Sequence, residues 1–329
     1  MSAPERGVDV ARAAKVLVRG GLVAFPTETV YGLGADASNA EAVARVFATK
    51  GRPPTHPLIV HLADAAQLDH FAVAIPDAAR ALAAAAWPGP LTLILEKSAR
   101  VSDAVTGGAP TVGLRVPAHP LAHAMLVAFG GGVAAPSANR FGAVSPTTAD
   151  HVVADLGRDV DYVLDGGACR VGVESTIVDL SSLGRTRGRA VLLRPGGLAR
   201  EAIEAIVGPL ASADAHAPAA PGTLASHYAP RARVIAVEPH EVPAAVAAQT
   251  GRVAVLAPSG AFAAWPALDA LAHRLPDDDA GMARELYAAL RDLDTTGVDV
   301  VIAALPPAAG LGEAVVDRLR RAAGPKDEP

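Results

Sequence analysis

At 329 residues the chain exceeds one ordinary domain, and its net charge of −5 excludes the broad basic face of a non-specific nucleic-acid binder. Apolar residues make up 51% but aromatics only 4%, so aliphatic and alanine side chains must fill the core. The single cysteine, Cys169, excludes an internal disulfide, and no apolar run reaches membrane-spanning length without Gly, Pro or charge. The N-terminal residues lack a signal peptide's apolar segment, so a cytoplasmic location is expected.

Apolar spacing predicts a helix over 8–19 with Val8, Ala11, Val16 and Leu17 inward, ended by Gly20-Gly21. Residues 22–25 are a short strand stopped by Pro26, and Thr27–Gly34 reads as a loop. A helix near 39–49 follows, capped by Ser38 or Asn39, then a strand over 58–62. Helices are expected over 64–71 and 76–86, then strands over 91–95, 112–116 and 133–135, with a helix at 119–129. A helix near 147–156, strands near 162–165, 175–180 and 190–194, and a helix near 199–207 complete the first part. Strands and helices mix without strict alternation, which predicts a mixed sheet. Residues 209–231, rich in Pro and Ala, read as a linker. Beyond them come strand 233–237, helix 241–249, strand 252–257, helix 280–292, strand 298–304 and helix 312–322, the alternation of a small open α/β domain. The domain reading is therefore 1–208, linker 209–231 and 232–329.

The chain has only four lysines and two asparagines. One of each falls in a constellation of Lys50-Gly51-Arg52 and Ser137-Ala138-Asn139. Two cations where a helix gives way to a Gly-Arg-Pro-Pro loop can neutralise adjacent phosphates; helix C-termini also attract basic residues through the dipole, and spacing alone leaves both readings open. Thr27–Gly34 packs hydroxyls, a carboxylate and two glycines into eight residues, either a ligand loop or a turn with a hairpin. No Walker-type phosphate loop is present, and Ser137 lacks the Gly-x-Ser-x-Gly setting of a hydrolase nucleophile. Thr111 and Arg115 lie four apart on a strand and share a face. An inward arginine there needs an anionic partner, either a substrate carboxylate or a structural Asp or Glu. His61 can hydrogen-bond a substrate or be a satisfied core histidine, and Ser145 can contact a phosphate or cap a helix. No His/Cys/Asp spacing marks a zinc site.

Taken together, Pro26–Gly34, Lys50–Pro53, Pro57–His61, Trp87–Thr92, Arg115–Pro117, Ala135–Asn139, Gly172–Ile177, Leu193–Gly196 and His227–Pro230 resemble the YrdC-like threonylcarbamoyl-AMP synthase family in its long two-domain form. Ordered matches span about 20–230, and the rest resembles the accessory domain in layout. The resemblance implies an α/β fold: a twisted mixed sheet with a large concave cavity, followed by a smaller Rossmann-like domain. It implies a nucleotidyltransferase that makes L-threonylcarbamoyladenylate and pyrophosphate from L-threonine, bicarbonate and ATP, for tRNA modification by a downstream transferase complex. Direct contact with tRNA is left open. Carried over residue by residue, Thr29, His61, Arg115 and Ser175 resemble threonine-binding positions. Lys50, Arg52, Thr111, Ser137, Asn139, Ser145, Arg194 and Tyr228 resemble positions lining the nucleotide, with Lys50 and Arg52 given the catalytic electrostatic role. His56 stands where relatives carry Asn before Pro-Leu and is placed with the nucleotide group. Mg²⁺ is expected, held mainly by ATP phosphates. An RNA-binding protein, or an ATP-binding regulator without turnover, is the alternative; the acidic balance and the lack of aromatic stacking motifs weigh against RNA binding.

Overall fold

The computed structural model describes residues 4–183, 188–223 and 227–325. They form two compact units. One holds the described residues up to Phe141, Pro146–Arg170 and Glu174–Thr223; the other holds Gly142–Ser145, Val171–Val173 and the described residues from His227 onward.

The first unit is built on an 11-stranded sheet. Its strands are β1 (Glu5–Gly7), β2 (Val23–Phe25), β3 (Gly32–Asp36), β4 (Ile59–His61), β5 (Leu91–Glu96), β6 (Thr111–Arg115), β7 (Val133–Ala134), β8 (Tyr162–Leu164), β9 (Thr176–Asp179), β10 (Val191–Arg194) and β11 (Ala211–Ser212). The order is β1-β8-β2-β3-β7-β4-β6-β5-β9-β10-β11. Parallel pairs such as β4–β6 and β5–β9 sit beside antiparallel pairs such as β2–β3 and β5–β6, so the sheet is mixed as expected. Glycines at 32 and 34 hid β3 from sequence reading. They are there because Phe25 packs against the strand: a Cβ on Gly34 would lie 2.8 Å from its ring.

The helices of this unit are α1 (Val10–Val18), α2 (Ala40–Lys50), α3 (Leu68–Phe71), α4 (Asp77–Ala86), α5 (Asp103–Thr106), α6 (Pro120–Phe129), α7 (Ala149–Leu156) and α8 (Arg200–Val207). Asn39 caps α2 by accepting from the amides of Glu41 and Ala42, and Gly51 closes it in the left-handed conformation that glycine adopts without strain. Helix α1 buries Leu17 as expected, but with Ala13 and Ala14 in place of Val8 and Ala11: Val8 precedes the helix and is 69% exposed, Ala11 is exposed too, and Val16 is half-buried. The neighbouring α6 decides this, because Ala13 and Leu17 pack with Ala122, Met125 and Leu126.

Part of the expected linker belongs to this unit. Ala211–Ser212 pairs in parallel with β10, and Ala220 is buried against Ile59, Ile94, Ile177, Val191 and Leu193. A Pro/Ala composition reads as linker, yet small apolar side chains also lie flat on a sheet. Residues 224–226 of that stretch lie outside the described residues.

The second unit carries a 4-stranded parallel sheet of β12 (Arg233–Val237), β13 (Val253–Pro258), β14 (Leu271–Leu275) and β15 (Val300–Ala304), in the order β12-β15-β13-β14. Its helices are α9 (Val242–Ala247), α10 (Asp279–Thr296) and α11 (Gly312–Ala322). The loops Gly142–Ser145 and Val171–Val173 pack into this unit. Arg291 of α10 donates to the carbonyls of Val144 and Ser145. Gly172, at φ 83°, sits where a Cβ would meet the Ala283 carbonyl at 2.4 Å.

Candidate functional site

The turn after β7 is tied to the loop after β2. Gly32 and Ser137 form a β-bridge, Ala138 N donates to Tyr31 O at 2.8 Å, and Leu33 N donates to Pro136 O at 2.8 Å. Lys50, the last residue of α2, reaches beneath this turn. Its Nζ donates to Ser137 O at 2.5 Å and to Asn139 O, with Asn139 Oδ1 at 3.5 Å. Only 3% of Lys50 is exposed. Burial pulls its pKa well below the ordinary lysine value, and the neighbouring Arg52 adds to that. The carbonyls oppose the shift, since they accept best from the charged ammonium.

Arg52 is also buried and donates from Nη2 to Pro57 O at 3.0 Å, with its guanidinium 5.8 Å from the Phe141 ring. His56 lies 5.5 Å from the same ring, and partial burial, then Arg52, lowers its pKa. Lys50, Arg52, His56, Ser137 and Asn139 therefore come together, as a cationic group around one turn.

Arg115 ends β6 and is 4% exposed. The sequence left its anionic partner open, and the structure supplies Glu28. Arg115 Nη2 donates to Glu28 Oε1 at 2.6 Å and to Thr29 Oγ1 at 2.9 Å, and Nε reaches Gly89 O at 3.3 Å. Glu28 Oε2 accepts from Ala118 N at 2.9 Å. Sequence reading missed Glu28; its signal was the need for a counter-ion within reach of a buried arginine. His61 sits beside Arg115 in the β4–β6 register and packs edge-on against Phe25. Its Nδ1 is buried with no hydrogen-bond partner among the described residues. Burial, then Arg115, pushes its pKa down to about 3, so it is a neutral imidazole at working pH.

That value fixes a pH dependence. Below pH 6.5 the unfolded chain takes up a proton that folded His61 refuses until about pH 3. The stability held by this group is therefore complete above pH 6.5 and is lost as pH falls toward 3. Denaturant midpoints should drop across that window, and drop less steeply in His61→Gln.

Ser175, just before β9, shares a hydrogen bond of 2.8 Å with Thr92. Arg194 serves this position rather than standing open. Its Nε and Nη2 donate to Ser175 O, its Nη2 also reaches Ser175 Oγ, and its Nη1 donates to Pro221 O at 2.8 Å. Thr111 lies at the far end of β6 from Arg115, in a cavity of about 660 Å³ lined also by Glu96, Lys97, Ser182 and His216. Ser145 and Tyr228 belong to the second unit. There Ser145 is fully buried, and Tyr228, at φ 64°, packs against His227, Tyr287 and the Arg318 guanidinium. Cys169 is buried, which raises its pKa to about 12 and makes it a poor nucleophile.

Two family models cover nearly the whole chain. Residues 15–196 match the Sua5/YciO/YrdC family, described as telomere recombination, and residues 198–324 match the threonylcarbamoyl-AMP synthase C-terminal domain. The threonylcarbamoyl-AMP synthase of Pyrococcus abyssi is 44% identical, with 95% of this chain and 93% of that protein aligned. The chain belongs to the threonylcarbamoyl-AMP synthase family. The Bacillus subtilis threonylcarbamoyl-AMP synthase is 41% identical over 96% of this chain and 93% of its own length. Among solved structures, P. abyssi Sua5 complexed with L-threonine superposes with a TM-score of 0.88 at 41% identity, covering 97% of this chain and 96% of that one. Among the described residues, no helix is long and apolar enough to cross a membrane.

Proposed function

We propose that this chain is an ATP-dependent nucleotidyltransferase that makes L-threonylcarbamoyladenylate and pyrophosphate from L-threonine, bicarbonate and ATP, for threonylcarbamoyl-adenosine formation in tRNA. The observation that carries this reading is the loop after β2, in a chain that matches the family over nearly its whole length. Thr29 in that loop meets buried Arg115, the register neighbour of His61, and Tyr31 O accepts from Ala138 N in the turn anchored by buried Lys50. The first group suits a small amino acid, and the second a polyphosphate.

In this reading Arg115, Thr29, His61 and Ser175 hold L-threonine. Lys50, Arg52, His56, Thr111, Ser137 and Asn139 line the nucleotide. Arg194 acts through the Ser175 main chain. Ser145 and Tyr228, on the other unit, stand outside this geometric argument. The threonine amine attacks carbon dioxide with loss of a proton, or bicarbonate with loss of water, to give a carbamate. A carbamate oxygen then attacks the α-phosphate, and pyrophosphate leaves with the bond electrons. Charge grows on phosphate oxygens in that step, where fixed cations contribute most. His61, neutral, donates or accepts a hydrogen bond without adding charge.

The described residues contain no group of three His, Cys, Asp or Glu side chains able to hold a metal. Among the described residues there is thus no all-protein cage for Mg²⁺. Mg²⁺ then arrives as the counter-ion of ATP, held by phosphates and water. The acceptor of the product, a tRNA-modifying transferase, and a cytoplasmic location are part of the same proposal.

The test is pyrophosphate release from ATP. It should require both L-threonine and bicarbonate, and serine should be a poorer substrate. Release indifferent to either co-substrate would end this reading, and ATP binding without any release would favour a regulator.

A further inference from the structure

Thr27 and Glu28 are absent from the proposed ligand contacts, yet both are buried beside them, at 1% and 4% exposure. Thr27 Oγ1 donates its one proton to Val30 O at 2.7 Å. It therefore has none to give Thr29 Oγ1, which lies 2.8 Å away, so Thr29 must be the donor in that pair. Two longer amide contacts, from Thr29 N at 3.1 Å and Val30 N at 3.2 Å, confirm Thr27 Oγ1 as an acceptor. On its other side Thr29 Oγ1 accepts from Arg115 Nη2. What Thr29 has left for a ligand is a lone pair and no hydrogen.

Glu28 does the complementary work on Arg115. Its two oxygens bind Arg115 Nη2 and Ala118 N, which ties the guanidinium to the start of the loop after β6. Nε points to Gly89 O. Among the described residues, the donors still open on Arg115 are those of Nη1.

We infer that Thr27 and Glu28 are positioning residues that set the hydrogen-bond polarity of the amino-acid niche. Thr29 is held as an acceptor, and Arg115 is held with one outward donor edge. Such a niche takes a molecule with a carboxylate beside an N–H, and it rejects the same acid without its amine. The inference rests on the reading that Thr29 and Arg115 bind L-threonine.

The experiment compares L-threonine with 3-hydroxybutyrate, which lacks the amine, as a competitive inhibitor of pyrophosphate release. Wild-type protein should bind the deaminated acid at least about tenfold more weakly. In Thr27→Val the Thr29 hydroxyl is freed to turn, and the gap should close to within about threefold, with KM for ATP changed by less than about twofold. Thr27→Ser keeps the hydroxyl and should keep the gap. Glu28→Gln should raise KM for L-threonine at least about tenfold, again with KM for ATP within about twofold. A Thr27→Val protein that retains the wild-type gap overturns the inference, and so do KM values for threonine and ATP that rise together. If Glu28→Gln does not fold, the Thr27 pair decides alone. Thr29→Val and Arg115→Lys separate the two levels of the argument. If both leave KM for L-threonine unchanged, the niche itself has been misplaced.

Discussion

Lys50→Met is expected to lower pyrophosphate release by about 100- to 1,000-fold, the scale of losing one preorganised electrostatic group at a developing charge. Two effects combine. The cation nearest the Ser137–Asn139 turn disappears, and the carbonyls of Ser137 and Asn139 lose their donor. A buried polar group left unsatisfied costs about 1–3 kcal/mol, so the variant should also unfold at lower denaturant. Methionine keeps the apolar length of the side chain, which confines the change to charge and hydrogen bonding. Kinetics and denaturant titration on one preparation check both parts. Turnover within tenfold of wild type would remove Lys50 from its electrostatic role.

The second large effect is expected at the Arg115–Glu28 pair, whose side chains are each 5% exposed. Arg115→Met should abolish threonine-dependent turnover and destabilise the fold by about 3–5 kcal/mol, because Glu28 is left as a buried charge without its cation. Adding Glu28→Gln should recover most of that stability and none of the activity. Denaturant unfolding of the two single variants and the double variant measures the coupling. Additive stability losses would show that the pair is not coupled.

Most elements were legible where pattern and packing agree. The helix over 312–322 and the strand over 233–237 have the expected bounds, the helix because it buries one apolar face and the strand because residues 234–237 are a continuous apolar run. The helix expected over 280–292 runs from Asp279 to Thr296, four residues longer at its C-terminal end, where Gly297 stops it. Strand Glu5–Gly7 was invisible: Glu5 and Arg6 are exposed, and the segment is a strand only through pairing with Tyr162–Leu164, far along the chain. Strand Leu271–Leu275 was hidden for a similar reason, since its residues are largely exposed on the edge of the second sheet.

In the site, the individual groups were readable as residue types, and their commitments were not. Arg194 was placed among the nucleotide-lining positions, and only the folded chain shows that its nitrogens serve main-chain carbonyls. Arg115 was known to need an anion, but only the folded chain shows that Glu28 fills that need before any substrate arrives. The Glu28 pairings join positions 87 and 90 residues apart, and no local pattern encodes them.

The loops Gly142–Ser145 and Val171–Val173 have a practical consequence for dissecting the protein. The second unit draws seven of its own residues from two stretches that precede residue 174. A fragment begun near residue 227 would lack the carbonyls that Arg291 binds and would bare the surface against which Gly172 is pressed. Excising the C-terminal part at any single peptide bond therefore yields an incomplete body, prone to aggregate. Grafting the two short loops onto it through engineered connections is the rational route to an isolated, well-behaved piece.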